Sequence, residues 1–507
     1  MTLIPFAGIQ EDEALYSMPL YLPLGPEFQI RILHHSIPLM LMSYLGTLKT
    51  AIYAVVIRLA GSGVWATRLP MALVGAVTIY IFCHLCFAAH RSGALAAGLG
   101  AALLATDPSF LLTNTFDWGP VALEHVLLVS ACLLLYRFAT NSSQIWRLAA
   151  AAFLFGLALW NKALFLWALS GVTVGGLLVF WPEVKRLASR RNVTVAAGAF
   201  LVGAFPLVLF NLLNRNATLG ENVTLDTAHL AQKWRQVQVA ANGNALFGFM
   251  VANEAPRAVT GAGSVPGRAA VWIHEHLGEH RETGLYYVYG ALILAAPLWW
   301  RSRAARFSLV FVGVAWLMMA LTKDAGQALH HEILLWPFPV LFAAVTLAEI
   351  PWRWVGGGIG AVLVVSNLLV VNQYVFQFER NGATGNFTDA LFPLAEALPE
   401  SRPVDAMDFG ILVTMELAHE GRLQARFAGD PMRTDSPNPA EQAQMRAMLA
   451  EPGALFVDHV PELEQFRGVG ANLDRFAAAE RYRKVPVRTV ADSHGRPTFE
   501  IFEYRRM

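Results

Sequence analysis

The sequence predicts an α-helical multi-pass membrane protein of about ten spans, with interfacial helices and a small C-terminal α/β domain outside the membrane. The first observation is composition: of 507 residues, 55% are hydrophobic and only 15% are charged, and the mean hydropathy is +0.44. Soluble domains carry about 25% charged residues. The second observation is a series of long apolar runs, and the third is the alternation of basic and non-basic loops between them.

The apolar runs determine the number of predicted crossings. A spanning helix needs about 20 apolar residues, each with a rise of about 1.5 Å. Runs near this length cover residues 69–89, 94–112, 119–136, 149–160, 164–181, 193–213, 285–300, 307–321, 332–348 and 355–374. These segments predict a membrane domain over residues 68–376, which includes a long loop at 214–284.

Lysine and arginine residues determine the predicted orientation. Every second loop contains basic residues: Arg91, Arg137, Arg147, Lys185, Arg186, Arg190, Arg191, Arg301, Arg303, Arg306 and Arg353. The alternate short loops contain only Lys162 and Lys323. Because cytoplasmic loops are enriched in Lys and Arg, the first set is predicted to be cytoplasmic. The loop 214–284 and both terminal regions then lie outside, facing the periplasm or the lumen of the endoplasmic reticulum. The abundance of alanine and leucine in the spans and the compact C-terminal domain favour the periplasmic side of a bacterial inner membrane.

The N-terminal region, residues 1–67, contains the acidic motif Glu11, Asp12 and Glu13. Its segment 36–61 is long enough to cross a membrane, but Lys49 would then lie at the centre of the span, at a cost of about 2.5–3.5 kcal/mol. We therefore predict two interfacial helices here, separated by a break at Gly46 and Thr47.

The C-terminal region, residues 377–507, differs in pattern from the membrane domain. Strand-like runs alternate with helical stretches such as "AEQAQMRAMLAE"; the runs are "PVDAMDF", "ALFVDHV", "KVPVRTV" and "TFEIFEY". This alternation predicts a small α/β domain. It contains no phosphate-binding glycine loop, so we expect a scaffold or lid without chemistry of its own.

Several classes of partner are excluded by composition. A net charge of +1 gives no basic surface for nucleic acid. Cys83, Cys86 and Cys132 all lie in apolar runs, where packing explains them better than zinc, which needs four ligands. His276 and His280 have helical i,i+4 spacing but no third ligand, so the residues alone predict no metal site.

Ionisable residues in or beside membrane helices are costly, which makes them candidates for function. Here they concentrate at the outer ends of the predicted spans: Glu11, Asp12, Glu13, Lys49, Asp107, Asp117, Glu124, Lys162, Lys323, His330 and His331. Glu124 follows Asp117 by seven residues, which predicts one helix face. Simpler interpretations stay open, since the aspartates could cap helices and the lysines could extend to the membrane surface.

Carboxylates and amines together at a membrane interface suit one kind of chemistry. A lipid-linked phosphate donor has its tail in the bilayer, its phosphate at the interface and its sugar in the outer aqueous space. An amine can neutralise the departing phosphate, and a carboxylate can deprotonate the acceptor hydroxyl. Lys49, at the predicted break between interfacial helices, lies at a suitable depth for the phosphate.

Four segments in order resemble the GT-C glycosyltransferases: "IQEDEALY", "ATRLPMALVGAVTIYIFCHL", "ALLATDPSFLLTNTFDWGPVALE" and "LFGLALWNKALFLW". The resemblance is to the branch of protein O-mannosyltransferases and lipid A aminoarabinose transferases, like glycosyltransferase family 39. It covers roughly the first 180 residues by motif and the remainder by architecture.

The resemblance implies an inverting transfer of a sugar from a polyprenyl phosphate, undecaprenyl or dolichyl, to an acceptor on the outer face. It matches Asp12, with Glu13, to the acid of the family's first outer loop, and Asp117 to a second acid. Lys49 matches the donor-phosphate lysine, and Lys162 matches the lysine of a "GLA..TK" pattern in which Asn161 replaces threonine. Some members require a divalent cation, so Mg or Mn stays open.

The resulting prediction assigns three groups of residues. The expected catalytic residues are Asp12, Glu13 and Asp117; the donor-phosphate residues are Lys49, Lys162 and Lys323; and the substrate pocket contains Glu11, Asp107, Glu124, His330 and His331. Family members have a spanning helix ahead of the acidic loop, so we expect this sequence to be truncated at its start.

Two alternatives and one open point accompany this prediction. A secondary transporter or flippase would have inverted repeats and charges near the bilayer midplane. A glycan polymerase or ligase would have an arginine-rich outer loop. The acceptor, whether protein, lipid or glycan, is not determined by the sequence.

Overall fold

A computed structural model describes residues 3–22, 25–116, 118–222, 224–255, 263–323 and 325–507. Among the predicted site residues, Asp117 lies outside the described residues. The N-terminal region forms α1 (Glu11–Ala14), α2 (Met18–Tyr21), β1 (Phe28–Ile32), β2 (His35–Met42), β3 (Leu45–Gly46) and α3 (Leu48–Ala60). Strands β1 and β2 are antiparallel, and β3 pairs with β2.

The described part of the membrane domain consists mainly of helices. Its helices are α4 (Val64–Ala89), α5 (Gly93–Thr106), α6 (Pro108–Thr115), α7 (Val121–Thr140), α8 (Ile145–Asn161), α9 (Leu166–Val179), α10 (Trp181–Leu187), α11 (Arg190–Leu213), α12 (Ala217–Asn222), α13 (Leu230–Asn242), α14 (Val265–Leu277), α15 (Leu285–Leu294), α16 (Ala296–Trp299), α17 (Arg303–Ala320), α18 (Leu329–Glu332), α19 (Phe338–Ala348) and α20 (Arg353–Asn381). The chain is an integral multi-pass membrane protein.

The described helices give a lower count of spans than the sequence predicts. Five are long and apolar enough to cross a membrane alone, namely α4, α7, α11, α17 and α20, and three bent pairs raise the number to eight. Helices α8 and α15 are apolar but shorter. Each of the ten predicted runs is therefore helical, but a count of ten spans is not established.

One departure within a predicted span is at Asp107 and Pro108. The run 94–112 is not one helix, because α5 and α6 meet at a bend of 58°. Pro108 has no backbone N–H for the helix ladder, and Asp107 Oδ1 caps α6 by accepting the Phe110 N–H at 2.9 Å.

The prediction of two interfacial helices in segment 36–61 is wrong. The first half is the β2–β3 hairpin, and only α3 is helical. The hairpin is held by contacts distant in sequence: Ala163 N–H donates to Tyr44 O at 2.9 Å, and a Cβ on Gly46 would lie 2.2 Å from Trp160 O. Gly46 thus permits close approach to α8 rather than breaking a helix.

The C-terminal domain is a five-stranded sheet with helices. Its elements are α21 (Leu391–Ala397), β4 (Val404–Ala406), α22 (Leu412–Ala418), β5 (Ala425–Phe427), α23 (Pro439–Ala450), β6 (Leu455–His459), α24 (Val469–Ala479), β7 (Tyr482–Ala491) and β8 (Pro497–Arg506). The strand order is β5-β4-β6-β8-β7, with β4 parallel to β5 and β6. The four predicted strands and the predicted helix α23 are confirmed, whereas β5 was not predicted. The proposed boundary at residue 377 falls within α20.

The N-terminal acidic region lies between the membrane domain and the C-terminal domain. Gly8 N–H donates to Phe387 O at 2.9 Å, and a Cβ on Gly8 would overlap Thr388 O. Apolar side chains of α22, Val413 and Leu417, share one core cluster with Leu15. The C-terminal domain therefore contributes to the position of α1.

Candidate active site

The acidic motif forms the first turn of α1. The Gln10 side-chain oxygen accepts the Asp12 N–H at 2.8 Å, and the Gln10 N–H donates to Glu13 Oε2 at 3.3 Å. This reciprocal capping box fixes the helix start, and successive residues on a helix point about 100° apart. The three acids, Glu11, Asp12 and Glu13, therefore have different surroundings.

Glu13 is fully buried against Arg68 of α4. Arg68 Nε and Nη2 donate to the two Glu13 carboxylate oxygens at 2.7 and 2.9 Å. The same guanidinium donates to the carbonyl oxygens of Ile4, Ala7 and Gly8. Neither charged side chain has any solvent exposure. This geometry makes Glu13 a positioning residue, because both of its oxygens are occupied by the guanidinium.

Asp12 is half-buried and contacts the "WGP" segment. Its Oδ2 accepts the Trp118 Nε1–H at 3.0 Å. The Trp118 ring in turn contacts the rings of His330 and Phe249, with centroids 4.8 and 5.2 Å away. The structure thus joins the acidic motif, the segment ahead of α7, the outer loop and α18 at one point.

Lys162, at the end of α8, lies within electrostatic reach of Asp12. It is only 3% exposed, and the Asp12 and Glu124 carboxylates both attract its ammonium. Within the described part of the chain its Nζ donates no hydrogen bond. Because a buried ammonium without hydrogen-bond acceptors is costly, an anion that accepts from Lys162 would be strongly favoured.

Glu124 lies behind Lys162 and is 1% exposed. Its Oε1 accepts a hydrogen bond from Asn161 Nδ2 at 2.6 Å, while its Oε2 has no partner among the described residues. Helix α7 begins at Val121. The predicted helix face shared by Glu124 and Asp117 lies outside the described residues, because it depends on Asp117.

Two histidines form the opposite side of the cluster. The His330 and His331 rings are 4.2 Å apart, and both lie within electrostatic reach of Lys162. Within the described residues, Nδ1 of each ring has no hydrogen-bond partner. The Trp167 ring contacts His331 edge-on at 5.8 Å.

A second buried pair lies beside His331. Glu332 is fully buried, and neither of its oxygens has a hydrogen-bond partner in the part of the chain described. Lys233 of α13 attracts this carboxylate, and its Nζ donates to the carbonyl oxygens of Ala320 and Thr322 at 2.8 Å each. The outer loop is thereby anchored to the end of α17.

Glu11 differs from its neighbours in charge. Burial, together with the adjacent Asp12 carboxylate, raises the pKa of Glu11 from 4.5 to about 8. The same two causes raise the pKa of the Tyr44 hydroxyl. At neutral pH Glu11 therefore holds its proton, whereas Asp12 has a partly exposed carboxylate.

Lys49 is buried beside the cluster at the start of α3. Its Nζ donates to Gly119 O at 2.9 Å and lies 4.3 Å from the centre of the Tyr16 ring and 5.1 Å from that of Tyr53. Cation–π contacts of this kind stabilise a desolvated ammonium. Lys49 thus supports the segment that precedes α7.

Two predicted residues are not brought into the cluster. Asp107 uses both oxygens structurally, since Oδ2 accepts the Trp336 Nε1–H at 2.9 Å and Oδ1 caps α6. Lys323 is exposed, and its backbone N–H donates to Thr224 O at 2.8 Å. The residues that do assemble are Glu11, Asp12, Glu124, Lys162, His330 and His331.

The described residues of the cluster do not fit a divalent cation. A group of three possible ligand atoms within 4.8 Å occurs in the described chain only at Asp408, Asp458 and His459, in the C-terminal domain. There both Asp408 oxygens already accept hydrogen bonds, including the His459 Nδ1–H at 2.8 Å. No step of the proposed reaction is therefore assigned to a metal.

Solved structures with a similar fold include two of the same protein. ArnT from Cupriavidus metallidurans in the apo state has 12% identity and a TM-score of 0.58, over 98% of this chain and 93% of that chain. The same protein bound to undecaprenyl phosphate has 14% identity and a TM-score of 0.56, over 99% of this chain and 95% of that chain. This chain therefore shares the fold of ArnT over nearly its whole length. No protein-family model and no curated protein matches the sequence.

The cluster and its supporting contacts include several residues that the sequence did not identify. Arg68 is one arginine of a weak "RLP" motif, and Lys233 lies in a polar outer helix, so neither has a local signal. Trp118 and Tyr44 become relevant only when the N-terminal region folds against α7 and α8. The one available signal was that Trp118 directly follows an acid already selected.

Proposed function

We propose that this chain transfers a sugar from a polyprenyl-phosphate donor to an acceptor at the acidic end of its membrane domain. The main support for this proposal is the environment of Lys162. This residue is nearly buried, its ammonium donates no hydrogen bond within the described residues, and it lies near Asp12. The fold match to a protein bound to undecaprenyl phosphate supports the same class of donor. The sugar and the acceptor, whether protein, lipid or glycan, stay open.

Asp12 is the proposed general base. The other two acids of the motif are unsuited to this role at neutral pH, because Glu13 is paired on both oxygens and Glu11 holds a proton. Asp12 is half-buried, and the Trp118 indole donates to only one of its oxygens. The second oxygen can then accept the proton of an acceptor hydroxyl.

Lys162 is the proposed partner of the donor phosphate. In the transfer, the acceptor oxygen forms a bond to the anomeric carbon while the bond from that carbon to the phosphate oxygen breaks. The proton goes to Asp12, and the negative charge remains on the lipid phosphate. Lys162 stabilises that charge, and Glu124 holds the α8 end through Asn161. His330 and Trp118 provide rings against which a sugar can pack.

The proposed membrane is the bacterial inner membrane, with the acidic end on the periplasmic side. The basic loops support this orientation, because they all lie at the opposite ends of the helices from the cluster. The roles of Lys49 and Arg68 are then structural, since their contacts hold the segments that carry Trp118 and Asp12.

The proposal is tested by transfer in vitro with purified protein in detergent and a panel of polyprenyl-phosphate sugars. We expect Asp12→Asn to lower the transfer rate by about 10²–10⁴-fold. Glu11→Gln is the matched control, because a neutral amide resembles the protonated acid, and we expect it to keep most of the activity at pH 7. Equal activity in Asp12→Asn and the unmodified chain would remove Asp12 as the base, and no transfer from any donor would reject the function.

A further inference from the structure

A large cavity lies at the end of the membrane domain opposite the cluster. Its volume is about 980 Å³, and it is bounded by α4, α7, α9, α10, α11, α17 and α19. Its inner wall is apolar and includes Leu85, Val172, Phe307, Phe338 and Leu341. Apolar cavities of this kind do not hold ordered water well. In a membrane protein, the available apolar material is the lipid chain.

The mouth of the cavity has the opposite character. Charged side chains gather there: Arg91, Arg186, Arg301, Arg303, Glu183 and Glu349. The cavity therefore has one polar end and one apolar end, as an amphipathic molecule does. This correspondence between the cavity and an amphipathic molecule is the first indication of what the cavity binds.

The charges at the mouth leave an excess of arginine. Glu349 accepts from Arg91 Nη2 at 2.8 Å, and Glu183 pairs with Arg303. Arg186 donates to a backbone carbonyl, Ala139 O, and lies within electrostatic reach of Glu183, which already pairs with Arg303, while Arg301 has no ion pair within the described residues. The four arginines at the mouth thus exceed its two carboxylates by two charges, which favours an anionic occupant.

Exposed tryptophans place the mouth at the depth of lipid headgroups. Tryptophan is enriched at the membrane–water interface. Five exposed tryptophans lie at this end of the helices: Trp146, Trp181, Trp300, Trp352 and Trp354. Trp300 directly precedes Arg301, and Trp181 begins α10, which turns 96° from α9 and carries Arg186. An anion bound by these arginines would lie at headgroup depth.

We infer that this cavity binds an anionic phospholipid, with the phosphate at Arg186 and Arg301 and the acyl chains between α9, α17 and α19. The site is separate from the proposed active site and does not depend on the proposed function. Free phosphate carries the same charge chemistry, but it would leave the apolar interior unfilled.

The inference is tested by native mass spectrometry on the delipidated full chain in detergent. The probes are dioleoyl phosphatidylglycerol, dioleoyl phosphatidylcholine and inorganic phosphate. A basic side chain near an anionic lipid contributes about a fivefold preference, so two predict that phosphatidylglycerol binds about 25-fold more tightly than phosphatidylcholine. Equal affinity for the two lipids, or displacement of bound lipid by inorganic phosphate, would overturn the inference.

Two variants locate the binding within the cavity. The double variant Arg186→Ala/Arg301→Ala should lose the preference for phosphatidylglycerol, whereas Arg147→Ala/Arg353→Ala, also at basic loops but outside the cavity lining, should keep it. Gly176→Leu should fill the cavity, because Gly176 lines it and an added Cβ meets no atom within 4 Å.

Gly198→Leu is the matched control for the filling variant, since Gly198 on α11 also has open space but does not line the cavity. We expect Gly176→Leu to lower the affinity for phosphatidylglycerol at least about tenfold and Gly198→Leu to leave it unchanged. Unaltered binding in both Gly176→Leu and the double arginine variant would place the lipid elsewhere. Both arginines of the double variant are exposed, so this test does not depend on core packing.

Discussion

The two ends of the membrane domain handle charge in opposite ways. At the acidic end, charged side chains are buried: Arg68 and Glu13 have no exposure, and Lys49 and Lys162 have almost none. At the basic end, the arginines are exposed; the Arg91 side chain, for example, is 83% exposed in its pair with Glu349. Both ends contain ion pairs, but only one end removes them from water.

This difference indicates different functions for similar residues. Removing a charge from water costs several kcal/mol, so a buried pair persists only where its geometry is well satisfied. The arrangement then fixes atoms in place, as Arg68 does for the N-terminal carbonyls of Ile4, Ala7 and Gly8. Exposed arginines cost little and can exchange partners, which suits topology and lipid contact.

The largest expected effect in this comparison is at Arg68. Arg68→Met leaves Glu13 as an unpaired buried charge, so we expect a loss of about 3–5 kcal/mol in the free energy of unfolding, measured by chemical denaturation in detergent. Arg91→Met at the basic end is the matched control and should cost less than about 1 kcal/mol.

The double variant Arg68→Met/Glu13→Gln sharpens the test. Because the second change removes the stranded charge, the double variant should be more stable than Arg68→Met alone. If the stability losses of the two single variants simply add in the double variant, Arg68 and Glu13 are not energetically coupled, although the hydrogen bonds of Arg68 indicate that they are. The difference between buried pairs at the acidic end and exposed pairs at the basic end would then lose its main support.

The second effect concerns Lys162 and the proposed donor. Lys162→Met removes the ammonium while keeping a similar apolar length, and we expect the transfer rate to fall by about 10²–10³-fold, as for the loss of one donor to a developing anion. Lys323→Met is the control, because Lys323 is also a lysine at the acidic end but is exposed. An equal loss of transfer rate in Lys162→Met and Lys323→Met would contradict the proposed role of Lys162 as the partner of the donor phosphate.

The sequence-based prediction also succeeded to different degrees in different parts of the molecule. Composition and apolar runs are properties of long segments, so they predicted the helical membrane domain, and the alternation of strand-like and helical runs predicted the strands β4, β6, β7 and β8. The acidic cluster depends instead on contacts distant in sequence. The proximity of Asp12 and Lys162 was anticipated from their common membrane side, but the assignment of Asp107 to the pocket was not supported, because Trp336 occupies its carboxylate.

The β2–β3 hairpin shows the limit most clearly. Its sequence is apolar enough for a helix, and its strands form against the α8–α9 connection, where Leu45 pairs with Lys162. Nothing within segment 36–61 specifies that partner. Likewise, the pairing of Glu13 with Arg68 spans 55 positions of the sequence. Local sequence patterns predict helices and strands, whereas tertiary packing determines which acid of the N-terminal motif is not occupied by a structural ion pair.

The effect that is smallest per pH unit is a pH dependence caused by Glu11. Its pKa rises from 4.5 to about 8 on folding, so between these values the folded chain keeps a proton that the unfolded chain has lost. Stability should therefore fall as the pH rises from about 4.5 to about 8, by at most about 1.4 kcal/mol per pH unit for one proton. Denaturation in detergent at several pH values measures this slope.

Glu11→Gln isolates this contribution, because glutamine cannot ionise. Asp458 in the C-terminal domain also has a pKa raised to about 8, by burial and by neighbouring acids, so it adds a similar slope to both proteins and cancels in the difference. We expect the unmodified chain to lose stability more steeply than Glu11→Gln, while Asp458→Asn should leave the Glu11 contribution intact. Parallel slopes for the unmodified chain and Glu11→Gln would mean that Glu11 is ionised at neutral pH. Asp12 would then have a second charged acid beside it, and the choice of Asp12 as the base would lose its electrostatic reason.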